Sequence, residues 1–451
     1  MARPYAHRRT FPSSARTLLV FARAFEPNEL PPLGITQLAS CLRQAGHEVD
    51  LLDLTVNSIR NFDLNQYCLV GMTLLCTNFP SATRLARRIR ENSESVCIAA
   101  GGPFPDACPR EVLDTSVFDI VGHGECELVI PKLVDALKTG AYLDQVPGLS
   151  FLRDGTAVRT LSLPMIESLD SLPFPAYDLL SMNKYSRHSI MASRGCPFDC
   201  IFCDRGPTES RKVRFMNPEA VVDRMTRLVH EFGNLPIRIL DSTFTLNQRW
   251  AERICDLILQ RNLEVSWHCQ TRIDCLNSEL LAKMRRAGCT EVVVGVDSGN
   301  DNILKLSKKS LTKDEARLGA KLFKETRAPK LHINFVIGHP WDTKETIEET
   351  LAFAHELERD FGARCGYYMM VPFPGTELWD NATTYEIEIT KDWEKYCKLS
   401  FTEHPERLSA TFDSKHLTAD ELTRIYHAIY RRKRQSSSLT RWDVSAASLT
   451  A

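Results

Sequence analysis

Ser193-Arg194-Gly195-Cys196-Pro197-Phe198-Asp199-Cys200-Ile201-Phe202-Cys203-Asp204 follows a short β-branched run, His188 to Ser193, and precedes a stretch of helical period, Pro218 to Glu231. Three thiols at spacings of four and three residues sit in a Gly/Pro loop whose backbone can wrap a compact object. Thiolates are soft ligands suited to iron–sulfur clusters, zinc or copper. Three of them on a four-iron cluster leave one iron with an open coordination position, where a substrate or cofactor can bind. Two other readings stand beside this one. A zinc site would need a fourth ligand from Cys269, Cys275 or His188, none of which completes a familiar finger spacing. Three small buried thiols would simply pack as hydrophobes.

Outward from this loop the pattern alternates between strands and helices. Strands are expected at Ile237 to Asp241, Glu264 to Cys269, Glu291 to Asp297, His332 to Gly338 and Cys365 to Val371. Helices are expected at Gln248 to Arg261, Asn277 to Ala287, Lys313 to Thr326 and Lys344 to Glu358. Six successive βα units predict an incomplete barrel with its chemistry at the strand carboxyl ends. Before the loop, five short strands between Thr17 and Val121 alternate with helices beginning near Leu33, Ser81, Pro109 and Cys126, which predicts a Rossmann-like α/β domain. The limits are then a disordered leader at 1–15, a first domain at 16–140, a connector at 141–185, a barrel at 186–380 and a helical C-terminal segment with a mobile tail at 381–451. The connector carries Asp154-Gly155, a hairpin-like turn, and two prolines, Pro173 and Pro175, that oppose regular helix.

Composition narrows the function classes. Lys+Arg 56 against Asp+Glu 57 leaves a net charge of -1 across 451 residues, so no global field favours nucleic acid or an anionic membrane. The basic run Arg431 to Arg434 suits a helix carboxyl end. The most apolar runs reach about half of the ~20 residues needed to span a bilayer. Fifteen cysteines, an odd number, without a secretory apolar segment favour reduced thiols and a cytoplasmic location.

The cysteine loop resembles that of the radical S-adenosylmethionine (SAM) superfamily, matching its C-x-x-x-C-x-x-C pattern at Cys196, Cys200 and Cys203. The resemblance implies a 4Fe-4S cluster on these three thiolates. It also implies SAM chelated to the open iron and cleaved to a 5'-deoxyadenosyl radical. Phe202 holds the aromatic position before the third cysteine, where the family packs adenine. Further matches run through residues 186–380. Leu240-Asp241-Ser242 resembles a second-strand segment near the SAM amino group, and Cys269-Gln270-Thr271-Arg272 a third-strand end reaching ribose or carboxylate. Gly295-Val296-Asp297-Ser298-Gly299-Asn300 resembles a G-[IV]-E-S-G-[SN] segment in which Asp297 replaces the usual Glu. Phe202, Asp241, Gln270, Arg272, Asp297 and Ser298 are thus the SAM-site candidates. Gly338-His339-Pro340 and Pro372-Phe373-Pro374-Gly375-Thr376 match later turns.

The first domain is similar to cobalamin-binding domains coupled to radical SAM barrels. The similarity rests on Leu33-Gly34, Gly71-Met72-Thr73-Leu74, Gly101-Gly102-Pro103 and Gly122-His123-Gly124-Glu125, so Leu33, Gly34, Thr73, Leu74, Gly101, Gly102, Pro103 and Glu125 are the cobalamin-site candidates. A D-x-H-x-x-G motif supplying a cobalt-ligating histidine is absent; that turn reads Arg23-Ala24-Phe25-Glu26-Pro27. Together the two resemblances imply a class B radical SAM methyltransferase. One SAM would methylate cob(I)alamin, and a second would yield the radical that activates an unactivated carbon of a small molecule, secondary-metabolite or lipid-like. The implied partners are that substrate and an electron donor such as flavodoxin or ferredoxin. The alternatives are a cyclase, oxidoreductase or phosphorus methylase of the same architecture, and a non-catalytic zinc or metal-binding scaffold. Trp393, Tyr396 and Phe401 are candidates for the substrate wall.

Overall fold

The computed structural model describes residues 11–22, 29–57, 63–203, 211–326, 329–398 and 405–435. Most of the expected leader, the 23–27 turn, Phe401 and the tail beyond residue 435 lie outside them. The first domain is a seven-stranded sheet in the order β2-β1-β3-β4-β5-β6-β7. Its strands are β1 Arg16–Phe21, β2 Val49–Asp53, β3 Tyr67–Thr73, β4 Cys97–Gly101, β5 Ile120–Gly122, β6 Leu149–Arg153 and β7 Thr156–Arg159. The first five are parallel, and their side chains alternate between two buried faces. Leu18 and Val20 pack with Ala82, Ala86 and Ile89 of the helix Phe79–Asn92. Leu19 and Phe21 pack with Ile35, Ala39 and Leu42 of Leu33–Gln44 and with Leu133, Val134 and Leu137 of Ile130–Thr139. A sheet covered on both faces in this way accounts for the continuous apolar runs.

The expected connector is a connector only in its second half. Asp154 (φ 51°) and Gly155 (φ 79°) form a tight turn that folds β6 and β7 into an antiparallel hairpin against β5. The hairpin covers a strand edge that would otherwise expose unpaired backbone groups.

The second sheet holds β8 His188–Ile190, β11 Ile237–Ile239, β12 Trp267–Thr271, β13 Cys289–Asp297, β14 Lys330–Ile337 and β15 Arg364–Met369. All are parallel and neighbours in chain order, a six-stranded incomplete barrel. The expected first barrel strand divides in two. After β8, the short β9 Ser193–Arg194 leaves the sheet and pairs antiparallel with β10 Arg214–Phe215, so that the cysteine loop stands on a two-stranded neck.

The C-terminal segment is not purely helical. It contains the antiparallel ribbon β16 Ile387–Ile389 and β17 Phe412–Ser414. It also bridges the domains. Tyr396 and Val371 are buried in a core of the first domain, and the Trp393 ring lies 4.7 Å from Phe104 and 5.9 Å from Trp379. Trp393 and Tyr396 are therefore core aromatics rather than a substrate wall. The helix Ala419–Gln435 closes over the barrel, its Tyr426 hydroxyl donating to the Tyr367 carbonyl at 3.0 Å. Among the described residues no helix is long and apolar enough to cross a membrane.

Candidate active site at the domain seam

The neck of the cysteine loop is gripped from two sides. From the barrel, the buried Asp241 carboxylate at the end of β11 accepts from the Ala192 amide at 2.8 Å and the Ser193 hydroxyl at 2.7 Å. Burial pushes this carboxyl up to about 6 against those hydrogen bonds. From the first domain, Glu125 accepts from Arg194 Nη1 at 2.8 Å and from Arg214 Nη1 at 2.9 Å, while Glu127 takes Arg194 Nη2 at 2.5 Å. Burial works to raise the Glu125 carboxyl, but its hydrogen bonds from the two arginines outweigh that and hold it below the ordinary value. Gly195 then takes φ 106°, a left-handed conformation open to glycine, and turns the chain into Cys196.

Above the barrel the loop faces a dense set of charges. Asp297 sits at a β-bulge with φ 74° and pairs with Lys309 Nζ at 2.6 Å, both nearly buried. A side chain at Gly295 would come within 3.0 Å of Asp297 Oδ1 and 3.1 Å of Lys309 Nζ, so the glycine makes room for this pair. Arg272 lies 3.8 Å over the Phe198 ring, donates to the Lys309 and Ser310 carbonyls and forms a two-armed pair with Asp274. Burial pushes the Cys200 thiol above its ordinary value, and the Lys309 ammonium acts against that. Phe202 meets the buried His339 edge-on at 5.4 Å, and among the described residues neither His339 ring nitrogen has a hydrogen-bond partner.

The donor set fits a cluster. One loop carries three thiols as soft ligands, two half-buried and Cys203 exposed, and Cys200 feels the buried cations Lys309 and Arg272. Among the described residues no three His, Cys, Asp or Glu side chains gather tightly enough for a single ion.

A cavity of about 240 Å³ lies between the carboxyl edges of the two sheets. One wall is first-domain: Leu33, Gly34, Thr73, Gly101, Gly102 and Pro103. The other includes Met191, Arg194, Met216 and Leu240 of the barrel and cluster neck. Side chains at Gly34 or Gly124 would meet nothing within 4 Å, so bare backbone faces open space there. At Gly102, with φ 105°, a side chain would come within 2.9 Å of the Leu74 carbonyl, and the turn closes only with glycine. Bare backbone and apolar side chains suit a flat macrocycle with an apolar nucleotide base.

Several sequence expectations change. Leu74 is fully buried and absent from the cavity wall, where it serves the core. Glu125 is consumed by the two arginines instead of facing the cavity. Asp241 and Arg272 have their polar atoms committed to the loop neck and to residues 274, 309 and 310. The Ser298 hydroxyl accepts from the Asn300 amide and lies 3.2 Å from Thr350 Oγ1, so it caps a turn. Phe202 and Gln270 remain partly exposed, and Asp297 joins the charged set through Lys309. Lys309 has no local signal in the sequence, since its partner Asp297 lies twelve residues away on the preceding strand, and His339 stands in a turn marked only by its glycine and proline.

Two family models match: the radical SAM superfamily over residues 190–354 and the B12 binding domain over residues 23–134. An uncharacterized methyltransferase of Pyrococcus horikoshii is 31% identical over 415 residues, 89% of this chain and 87% of that protein. An anaerobic magnesium-protoporphyrin IX monomethyl ester cyclase of Synechocystis is 28% identical over 311 residues, 64% of this chain and 62% of that one. The radical SAM methyltransferase TsrM of Kitasatospora setae, solved with cobalamin and a 4Fe-4S cluster, shares the fold with a TM-score of 0.70 at 20% identity, covering 84% of this chain and 78% of that one. The protein is a member of the B12-binding radical SAM family, a radical SAM enzyme of the methyltransferase type whose cofactors are a 4Fe-4S cluster, SAM and cobalamin.

Proposed function

We propose that this enzyme methylates an unactivated carbon of a small-molecule substrate. The observation that carries the reading is the shared wall of the cavity: Met191 and Arg194, within five residues of Cys196, line the same space as Gly34 and Gly102 of the first domain. When bound, the cluster and SAM supply a hydrogen-abstracting radical and cobalamin supplies a methyl carrier. Within the barrel, Ile333, Phe335 and Tyr367 belong to the core, so the alternate residues Asn334, Val336 and Tyr368 face the lumen, and these three are partly exposed. With Gln270, Asn334 and Tyr368 would orient a substrate carrying hydrogen-bonding groups. Cys196, Cys200 and Cys203 would hold the cluster, Phe202 and Gln270 would border SAM, and a flavodoxin or ferredoxin would deliver electrons.

The test is an anaerobic assay of SAM products on cluster-reconstituted protein with strong reductant, with and without hydroxocobalamin. The reading expects 5'-deoxyadenosine together with cobalamin-dependent S-adenosylhomocysteine. A second reading, a non-methylating radical reaction, draws on the similarity to the ester cyclase. It expects 5'-deoxyadenosine with no S-adenosylhomocysteine.

A further inference from the structure

The two stalks of the cysteine loop end in a pair of arginines that face each other across the β9–β10 ladder, Arg194 at the entrance and Arg214 at the exit. One carboxylate holds both. Glu125 Oε1 accepts from Arg194 Nη1 at 2.8 Å and Arg214 Nη1 at 2.9 Å, and Oε2 accepts from Arg214 Nη1 at 2.9 Å and from the Ile166 amide at 2.5 Å. All three charged side chains are at least nine-tenths buried. Glu125 belongs to the first domain, on the turn 122–127 whose Gly122, Gly124, Cys126 and Glu127 line the cavity between the domains. The same short turn therefore touches the cavity on one side and clamps the cluster neck on the other. A buried ion pair of this kind is weak evidence for stability alone, because desolvation offsets its attraction, but it does fix register.

The geometry points to Glu125 as a positioning residue that couples the two cofactor sites: filling the cavity sets the turn, and the turn sets the neck of the cluster loop. The proposal rests on cobalamin occupying that cavity. By linkage, SAM on the cluster side must then change cobalamin affinity by the same factor as cobalamin changes SAM affinity.

The experiment measures the cobalamin Kd of the cluster-loaded enzyme, anaerobically, with and without saturating SAM. The wild type is expected to show a change of about fivefold or more, the lower end of ordinary coupling. The charge-balanced double variant Glu125→Gln/Arg214→Gln leaves Glu127 paired with Arg194. It is expected to bind cobalamin alone much as the wild type does while the SAM effect falls to about onefold. Glu125→Asp keeps the charge but shortens the reach, and it is expected to give an intermediate effect even should the double variant not fold. A SAM effect equal to wild type in either folded variant overturns the proposal, as does a wild type whose cobalamin Kd ignores SAM. A wild type that binds no cobalamin overturns the cofactor reading beneath it as well.

Discussion

The carboxyl edges of the two sheets share one cavity, yet they are built from different materials. The first-domain edge is made of glycine backbone and apolar side chains: Leu33, Gly34, Gly101, Gly102, Pro103. The barrel edge meets the cavity through Met191, Arg194, Met216 and Leu240 and, away from the cavity wall, carries Asp297 with Lys309 and Arg272 with Asp274, tightly paired and largely out of water. An edge of bare backbone selects by shape, and it suits a large flat ligand whose charges are few. An edge of buried, paired charges is fixed before any ligand arrives, and it suits a charged cofactor and a cluster that changes oxidation state. The two edges are thus specialised by composition.

The largest expected effect is on the barrel side. Cys200→Ala should abolish cluster incorporation, read as loss of visible absorbance and bound iron, while cobalamin binding persists. Loss of both together would mean that the two edges are not separable. Next, Asp297→Asn leaves the Lys309 ammonium buried without its partner and should cost about 3–5 kcal/mol in anaerobic urea denaturation. A loss under 1 kcal/mol would show that water reaches this pair. On the first-domain side, Gly34→Leu should weaken cobalamin binding by about tenfold, near 1.4 kcal/mol, with iron content unchanged. Unaltered affinity would place the ligand elsewhere.

A further effect is a pH dependence within the barrel. Burial, with help from Arg238 and Arg187, pushes His268 down to about 3. A histidine whose folded value lies below its unfolded one contributes no instability above about 6.5, and the fold loses stability as pH falls from there toward 3. Between pH 7 and 5 the wild type should therefore lose more stability than His268→Gln, with a slope difference approaching 1.4 kcal/mol per pH unit in the acid part of that range. Parallel slopes would contradict the assignment.

The sheets and the cysteine loop were legible because local features encode them: β-branched runs, helical period and thiol spacing. Glu125 was legible as a residue of interest but not in its role, because its partners Arg194 and Arg214 lie 69 and 89 residues away. Nothing in local pattern announces such pairings. The same holds for Trp393 and Tyr396, whose aromatic character suggests a pocket as readily as the interdomain core they join. The hairpin of β6 and β7 was visible as a turn at Asp154-Gly155, but its membership of the first sheet depends on β5 having a free edge.

The central claim, that cobalamin and the cluster face each other across a single seam, is tested most directly by electron paramagnetic resonance of protein loaded with cob(II)alamin and reduced cluster. The account predicts dipolar broadening or splitting of both signals relative to samples carrying one paramagnet alone. Two unperturbed spectra that simply add, from protein shown to hold both cofactors, would contradict it.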